Sequence, residues 1–153
     1  MSRAFVKELE DGVEELPERP ISPHPNLVTA EGLVHIEAEV TRLQQEHAVA
    51  HAANDRTALS RAACDLRYWT ARRATAQPVA APSDRSKVHF GSTVTIVRND
   101  GRRQTFRVVG EDEADPARGT LSHASPLARA LFGKKLGDTV KVAQSEAEIV
   151  EIA

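Results

Sequence analysis

The sequence predicts an α+β protein in two parts, an antiparallel helical hairpin over residues 28–77 and an antiparallel β domain with one short helix over residues 87–153. Three observations carry this. Apolar residues at Leu33, Ile36, Val40 and Leu43, continued by His47 and Ala50, recur at alternating steps of three and four, the seam of a coiled coil. A second seam with the same steps runs through Leu59, Ala62, Leu66 and Trp69. From Val88 onward the pattern changes to β-branched alternation broken by Gly, Pro and Asp, as in short strands joined by turns.

A chain of 153 residues allows one ordinary domain or two small ones. Hydrophobic residues at 41% and charged residues at 27% are those of a soluble globular protein, and aromatics at 4% leave a largely aliphatic core. A formal net charge of −2 argues against binding nucleic acid through a basic face. No apolar run is long enough to cross a membrane, and the opening residues MSRAFVKELEDG lack a signal peptide's apolar stretch. The single cysteine, Cys64, makes no internal disulfide and reads as a buried or half-buried helix residue. A cytoplasmic monomer with no membrane partner is expected.

Residues 1–27 hold six acids (Glu8, Glu10, Asp11, Glu14, Glu15 and Glu18) and four prolines (Pro17, Pro20, Pro23 and Pro25). With few apolar residues to offset ordering entropy, they read as a flexible leader; a docking segment is the sharper alternative. Thr29 is a good N-cap, and Glu31 sits in the first turn near the helix's positive end. Asn54, Asp55 and Arg56 break the pattern, because Asn and Asp favour caps and turns. A second helix over about Asp55–Ala76 then folds back. Helices of roughly 20–25 residues span on the order of 30–36 Å.

Residues Pro78–Ser86 form a linker. A strand at Val88–Arg98, the turn Asn99-Asp100-Gly101 and a return strand at Gln104–Val109 form a hairpin. An acidic loop, Glu111–Gly119, leads to a short strand at Thr120–His123. Pro126 opens a helix over Leu127–Phe132 at the position proline prefers, with Gly133 as its stop. Strands at Thr139–Val142 and Ala147–Ile152 complete the domain.

Several stretches carry a closer likeness. Val109–Pro116 (VGEDEADP) and Ser122–Asp138 (SHASPLARALFGKKLGD) resemble the C-terminal domain of the GreA/GreB transcript-cleavage factors. Phe90–Val94 resembles that family's first strand, and Thr29–Leu33 the start of its first helix. The resemblance implies an N-terminal coiled coil and a C-terminal domain like the FK506-binding proteins. It also implies a partner, bacterial RNA polymerase. The globular domain docks at the rim of the secondary channel, and the coiled coil enters it. Acids at the tip help hold a second Mg²⁺ at the polymerase's own active centre, where backtracked RNA is cut. Two-metal chemistry of this kind needs hard carboxylate ligands. Contact with nucleic acid would be indirect, inside the elongation complex, and the chain would have no cofactor or enzymatic activity of its own.

One departure bears on activity. Active members carry a tip pattern like Gly-Asp-Leu-x-Glu-Asn-Ala-x-Tyr, whereas Ala48–Ser60 here reads AVAHAANDRTALS, with Asp55 its one carboxylate. The arms are also shorter than the family's by two or three turns, withdrawing the tip by roughly 11–16 Å. Asp55 is therefore either a surviving tip acid or a cap. His47, His51 and Asp55, spaced i, i+4, i+8, would form a metal stripe if the first helix continued that far. Tyr68 and Trp69 read as packing at the hairpin base or as a polymerase contact, and Arg72 and Arg73 as a solvated face or as partners of an acidic polymerase surface. Ser125, Pro126 and Leu127 fall on the family's polymerase-docking edge. Glu111, Asp112 and Asp115 form either a solvated turn or a rigid docking loop. The expected function is polymerase binding and elongation control without efficient cleavage. The alternatives are an active cleavage factor with a rearranged tip, a peptidyl-prolyl isomerase using Phe90, Phe106 and Phe132, and a general protein-interaction module.

Overall fold

The computed structural model describes residues 16–153, so the leader acids Glu8, Glu10, Asp11, Glu14 and Glu15 lie outside the described residues. The described chain forms two units. One contains residues 16–23 and Ile36–Thr75; the other contains His24–His35 and Ala76–Ala153. This division differs from the expected boundaries at 27/28 and 77/78, because residues 24–35 belong with the sheet.

The first unit is the helical hairpin. Helix α1 spans Ala30–Ala52 and α2 spans Arg56–Thr75. The α1 seam is buried at Ile36, Val40, Leu43 and Ala50 and half-buried at His47. On α2, Ala62 and Cys64 are buried, while Leu59, Leu66 and Trp69 are half-buried. Arg72 corrects the expected solvated face: it is only 1% exposed, whereas Arg73 is exposed. Arg72 lies three residues beyond Trp69, on the same side of the helix. Its long stem packs like an aliphatic chain, and the residue is not without a partner.

The hairpin turn is local backbone chemistry. Asn54 adopts a left-handed conformation with φ 58°. Its N–H donates to the His51 carbonyl at 3.2 Å, and that of Asp55 donates to the Ala50 carbonyl at 3.0 Å. This pair of bonds is a Schellman closure of α1. Asp55 then caps α2: its Oδ1 accepts from the Ala58 N–H at 3.1 Å. Three residues thus end one helix and begin the next.

Part of the expected leader lies along α2. Glu18 pairs with Arg67 at 2.6 Å, Arg19 with Asp65 at 3.1 Å, and the Pro17 carbonyl accepts from Cys64 Sγ at 3.5 Å. The Arg19 guanidinium sits 3.9 Å from the Tyr68 ring centre.

The second unit is a five-stranded sheet with a small parallel ribbon. Strands β1 (Leu27–Val28) and β2 (Gln77–Pro78) pair in parallel, so the expected linker begins as a bonded strand. The sheet order is β5-β4-β3-β7-β6, with β3 Thr93–Arg98, β4 Arg103–Val109, β5 Thr120–Ser122, β6 Thr139–Val142 and β7 Ser145–Ile152. Three pairings are antiparallel, but β4 and β5 run parallel, which corrects the all-antiparallel expectation. A parallel neighbour needs a crossover, and the acidic loop with its 3₁₀ turn at Pro116–Arg118 supplies it. Strand β3 starts five residues later than expected, because the Ser92 N–H closes a turn on the His89 carbonyl at 3.0 Å. Helix α3 (Pro126–Leu131) buries Leu127, Ala128 and Leu131 in an aliphatic core with Val94, Ile96, Val108 and Ile149.

One loop residue ties this unit together. The Glu113 carboxylate accepts from the Thr29 N–H at 3.0 Å, from the Thr29 hydroxyl and from the Gly110 N–H at 3.2 Å. Thr29 is buried, and its Oγ1 caps α1 by accepting from the Gly32 N–H at 3.0 Å. Two glycines make room. A Cβ on Gly32 would lie 2.1 Å from a Glu113 oxygen, and one on Gly110 would lie 2.5 Å from the Leu27 carbonyl. Next to this clamp, the Glu31 carboxyl is held below its usual range, first by its own backbone N–H, then by Thr29 and Arg107.

Two stability predictions follow from the clamp. Glu113→Ala lowers unfolding free energy by about 1–3 kcal/mol, because two backbone donors and a hydroxyl lose a charged acceptor. A denaturation cycle with Thr29→Val couples with it by more than about 0.5 kcal/mol; additive losses would refute the clamp. Gly32→Ala, which at an ordinary helix site gains about 1 kcal/mol, destabilises here. The same substitution becomes neutral or stabilising once Glu113 is alanine, and retention of its penalty in that background would show that Glu113 is not what it strikes.

Candidate functional site

The candidate residues fall at three places. The first is the hairpin tip. Asp55 is exposed, but its side chain is used locally as the α2 cap, and its carbonyl accepts from the Leu59 N–H at 2.9 Å. The left-handed turn at Asn54 ends α1 at Ala52, so Asp55 leaves the helical stripe that would have aligned it with His47 and His51. Among the described residues, no group of three or more His, Cys, Asp or Glu is placed to hold a metal ion.

The second place is one end of the parallel pair. Val109 of β4 stands opposite Ser122 of β5, and the His123 N–H donates to the Val109 carbonyl at 2.9 Å. Parallel pairing therefore brings the start of the acidic loop, Gly110–Asp112, beside the start of α3. Ser125 caps α3, its Oγ accepting from the Ala128 N–H at 3.2 Å, and Pro126 follows, exposed, at the first helical position. Glu111 and Asp112 are half-buried. Leu127 departs from the docking expectation: it is 8% exposed and belongs to the core, where it anchors α3 rather than faces a partner.

The third place is the opposite end of β5. The Asp115 N–H donates to Thr120 Oγ1 at 2.7 Å, and its Oδ1 accepts from the Ala117 N–H at 3.1 Å as the cap of the 3₁₀ turn. Asp115 is thus separated from Glu111 and Asp112 by the length of a three-residue strand, on the order of 10 Å. The acids of the loop therefore lie at both ends of β5. The residue that organises the loop, Glu113, was not among the candidates. Its signal was Gly32, a glycine within a helical pattern, which marks a close approach. The three phenylalanines are used in packing. Phe90 is in the core and Phe106 and Phe132 lie against it.

The chain matches the family model described as transcription elongation factor, GreA/GreB, C-term, over residues 82–153. It is 49% identical over 78 residues to transcription elongation factor GreA of Alkalilimnicola ehrlichii, covering 48% of this chain and 49% of that protein. A GreA of Hyphomonas neptunium is 56% identical over 59 residues, 38% of either chain. In these matches the chain spans about half or less of the relatives' length. Among solved structures, it is similar to GreA factor homolog 1 (Gfh1) of Thermus thermophilus, with 22% identity, 85% and 99% of the two chains covered and a TM-score of 0.41. A longer sequence match is to transcription elongation factor GreA of Legionella pneumophila, 32% identical over 157 residues and covering 86% of this chain and 97% of that protein. A match of that span takes in the hairpin as well as the sheet, and with it the chain belongs to the GreA/GreB family of transcription elongation factors.

Proposed function

We propose that this chain binds bacterial RNA polymerase at its secondary channel and regulates elongation without efficiently stimulating transcript cleavage. Family membership supports the partner, and the state of Asp55 carries the rest. Ala48–Ser60 holds a single carboxylate, and that carboxylate is the cap of α2. A hard cation such as Mg²⁺ needs several oxygen ligands, and a capping carboxylate with no acidic neighbour offers it at most one residue. In this reading Mg²⁺ belongs to the polymerase active centre, and any cleavage is the polymerase's own. The docking surface is the end of the sheet that Glu111 and Asp112 share with Ser125 and Pro126. A second reading, an active factor with a rearranged tip, is favoured only by the exposure of Asp55.

Defined backtracked elongation complexes with Mg²⁺ separate the two readings. The expected result is no acceleration of cleavage, together with dose-dependent inhibition of a long-finger cleavage factor. Asp55→Ala costs about 0.5–2 kcal/mol of stability through the lost cap but leaves that inhibition intact. Cleavage that speeds up and depends on Asp55 would establish the second reading instead. Docking is read by affinity for core polymerase. Asp112→Asn weakens binding roughly fivefold, about 1 kcal/mol, whereas Asp115→Asn, which keeps its capping ability, changes it less than about twofold. Equal losses at both positions would remove the assignment of docking to one end of β5.

A further inference from the structure

We infer that residues 16–19 form a releasable strap along the middle of α2, held by a guanidinium-binding site on that helix, and that the strap competes with insertion of the hairpin into its partner. The site consists of Asp65, Tyr68 and Trp69. The two rings meet edge to face, with centres 5.3 Å apart and planes at 86°. The Arg19 guanidinium lies 3.9 Å from the Tyr68 ring centre and 6.0 Å from that of Trp69. Its Nη1 donates to Asp65 Oδ1 at 3.1 Å. A carboxylate beside two aromatic faces suits a planar, delocalised cation better than an ammonium.

From Leu16 to Arg19 the strap runs in the same direction as α2, with Leu16 nearest the tip. Glu18 meets Arg67 and the Pro17 carbonyl meets Cys64, and Leu16 lines a cleft with Ser60 and Ala63. Ser60 is five residues beyond Asp55, so the strap reaches within about 8 Å of the tip along the helix. Pro17 and Pro20 bracket Glu18 and Arg19 and restrict the released chain, which lowers the entropy lost on closing.

The closure is weak. The Arg19–Asp65 side chains are 41% and 34% exposed, and those of Arg67 and Glu18 are 51% and 70% exposed. Exposed pairs and an exposed cation–π contact favour the closed state by roughly 5- to 30-fold in total. An extended segment thickens one side of the finger by on the order of 5–10 Å. A channel that admits two packed helices then selects the open form, and apparent affinity falls by about the closed-to-open ratio. This last step rests on the polymerase reading above; the strap itself does not.

Trp69 is the chain's only tryptophan, so its emission reports the site directly. In the full-length chain, Arg19→Ala and Asp65→Asn are expected to shift Trp69 emission to the red. They should also raise protease cutting within residues 16–23 several-fold, with Arg19→Lys intermediate. Rising NaCl should move the wild type toward the Arg19→Ala signal. Wild-type emission and cutting that match both variants, in proteins whose circular dichroism shows them folded, would overturn the strap. At one fixed low salt concentration, Arg19→Ala should bind core polymerase about 5- to 30-fold more tightly than wild type. Equal affinity, with the Trp69 shift present, would overturn the competition and leave the strap. No polymerase binding by either protein would overturn the functional reading and the competition with it, while Trp69 would still decide whether the strap exists.

Discussion

The Glu113 carboxylate joins pieces of backbone that lie 84 residues apart in sequence. It receives the amide and hydroxyl of Thr29 and the amide of Gly110, and so fixes the start of α1 beside the end of β4. A helix start always leaves amide groups in need of acceptors. Here one is met by a side chain from a loop, and Thr29 passes the order on by capping Gly32. The carboxylate has room to bond because Gly32 carries no Cβ, and Gly110 likewise leaves space for the Leu27 carbonyl.

The loop that supplies Glu113 is also the crossover that makes β4 and β5 parallel. That choice of direction decides which loop segments share an end of the sheet. Had β5 returned antiparallel, the start of the acidic loop and the start of α3 would stand at opposite ends of the strand. In the parallel arrangement Gly110–Asp112 and His123–Pro126 share an end, and Asp115 is left at the other, engaged in a local cap. The same acids that read as one patch therefore divide between the two ends of β5, and Asp115 is spent on a local cap.

At the tip of the hairpin, economy of residues and chemistry pull against each other. A three-residue connection must both close α1 and open α2. Asn54 supplies the left-handed turn and Asp55 the cap, so the only acid available is spent on the turn. The leader adds a second constraint on the same element, since Arg19, Glu18 and Pro17 occupy a face of α2 that carries its aromatic pair.

Periodicity and local chemistry were enough to read the two helices, their break at Asn54-Asp55, the strands β3, β4, β6 and β7, and α3 with its Ser125-Pro126 start. Each depends on neighbours within a few residues: seam spacing, capping hydroxyls, an Asp-Gly turn. The motif likeness also placed the chain in its family. What could not be read were pairings between distant segments. The parallel direction of β5, the bonding of Leu27–Val28 to Gln77–Pro78, the burial of Arg72 and the contacts of Arg19 all depend on which surfaces meet, and a one-dimensional pattern carries no term for that. Ser125 and Leu127 looked alike as docking candidates, yet one caps a helix at the surface and the other fills the core, because a turn of helix points neighbours in different directions. The sequence by itself determined the elements and their order, through short-range backbone and side-chain preferences. Only the tertiary structure decided which acids hold the fold, because a carboxylate's role is set by the donors that folding brings to it.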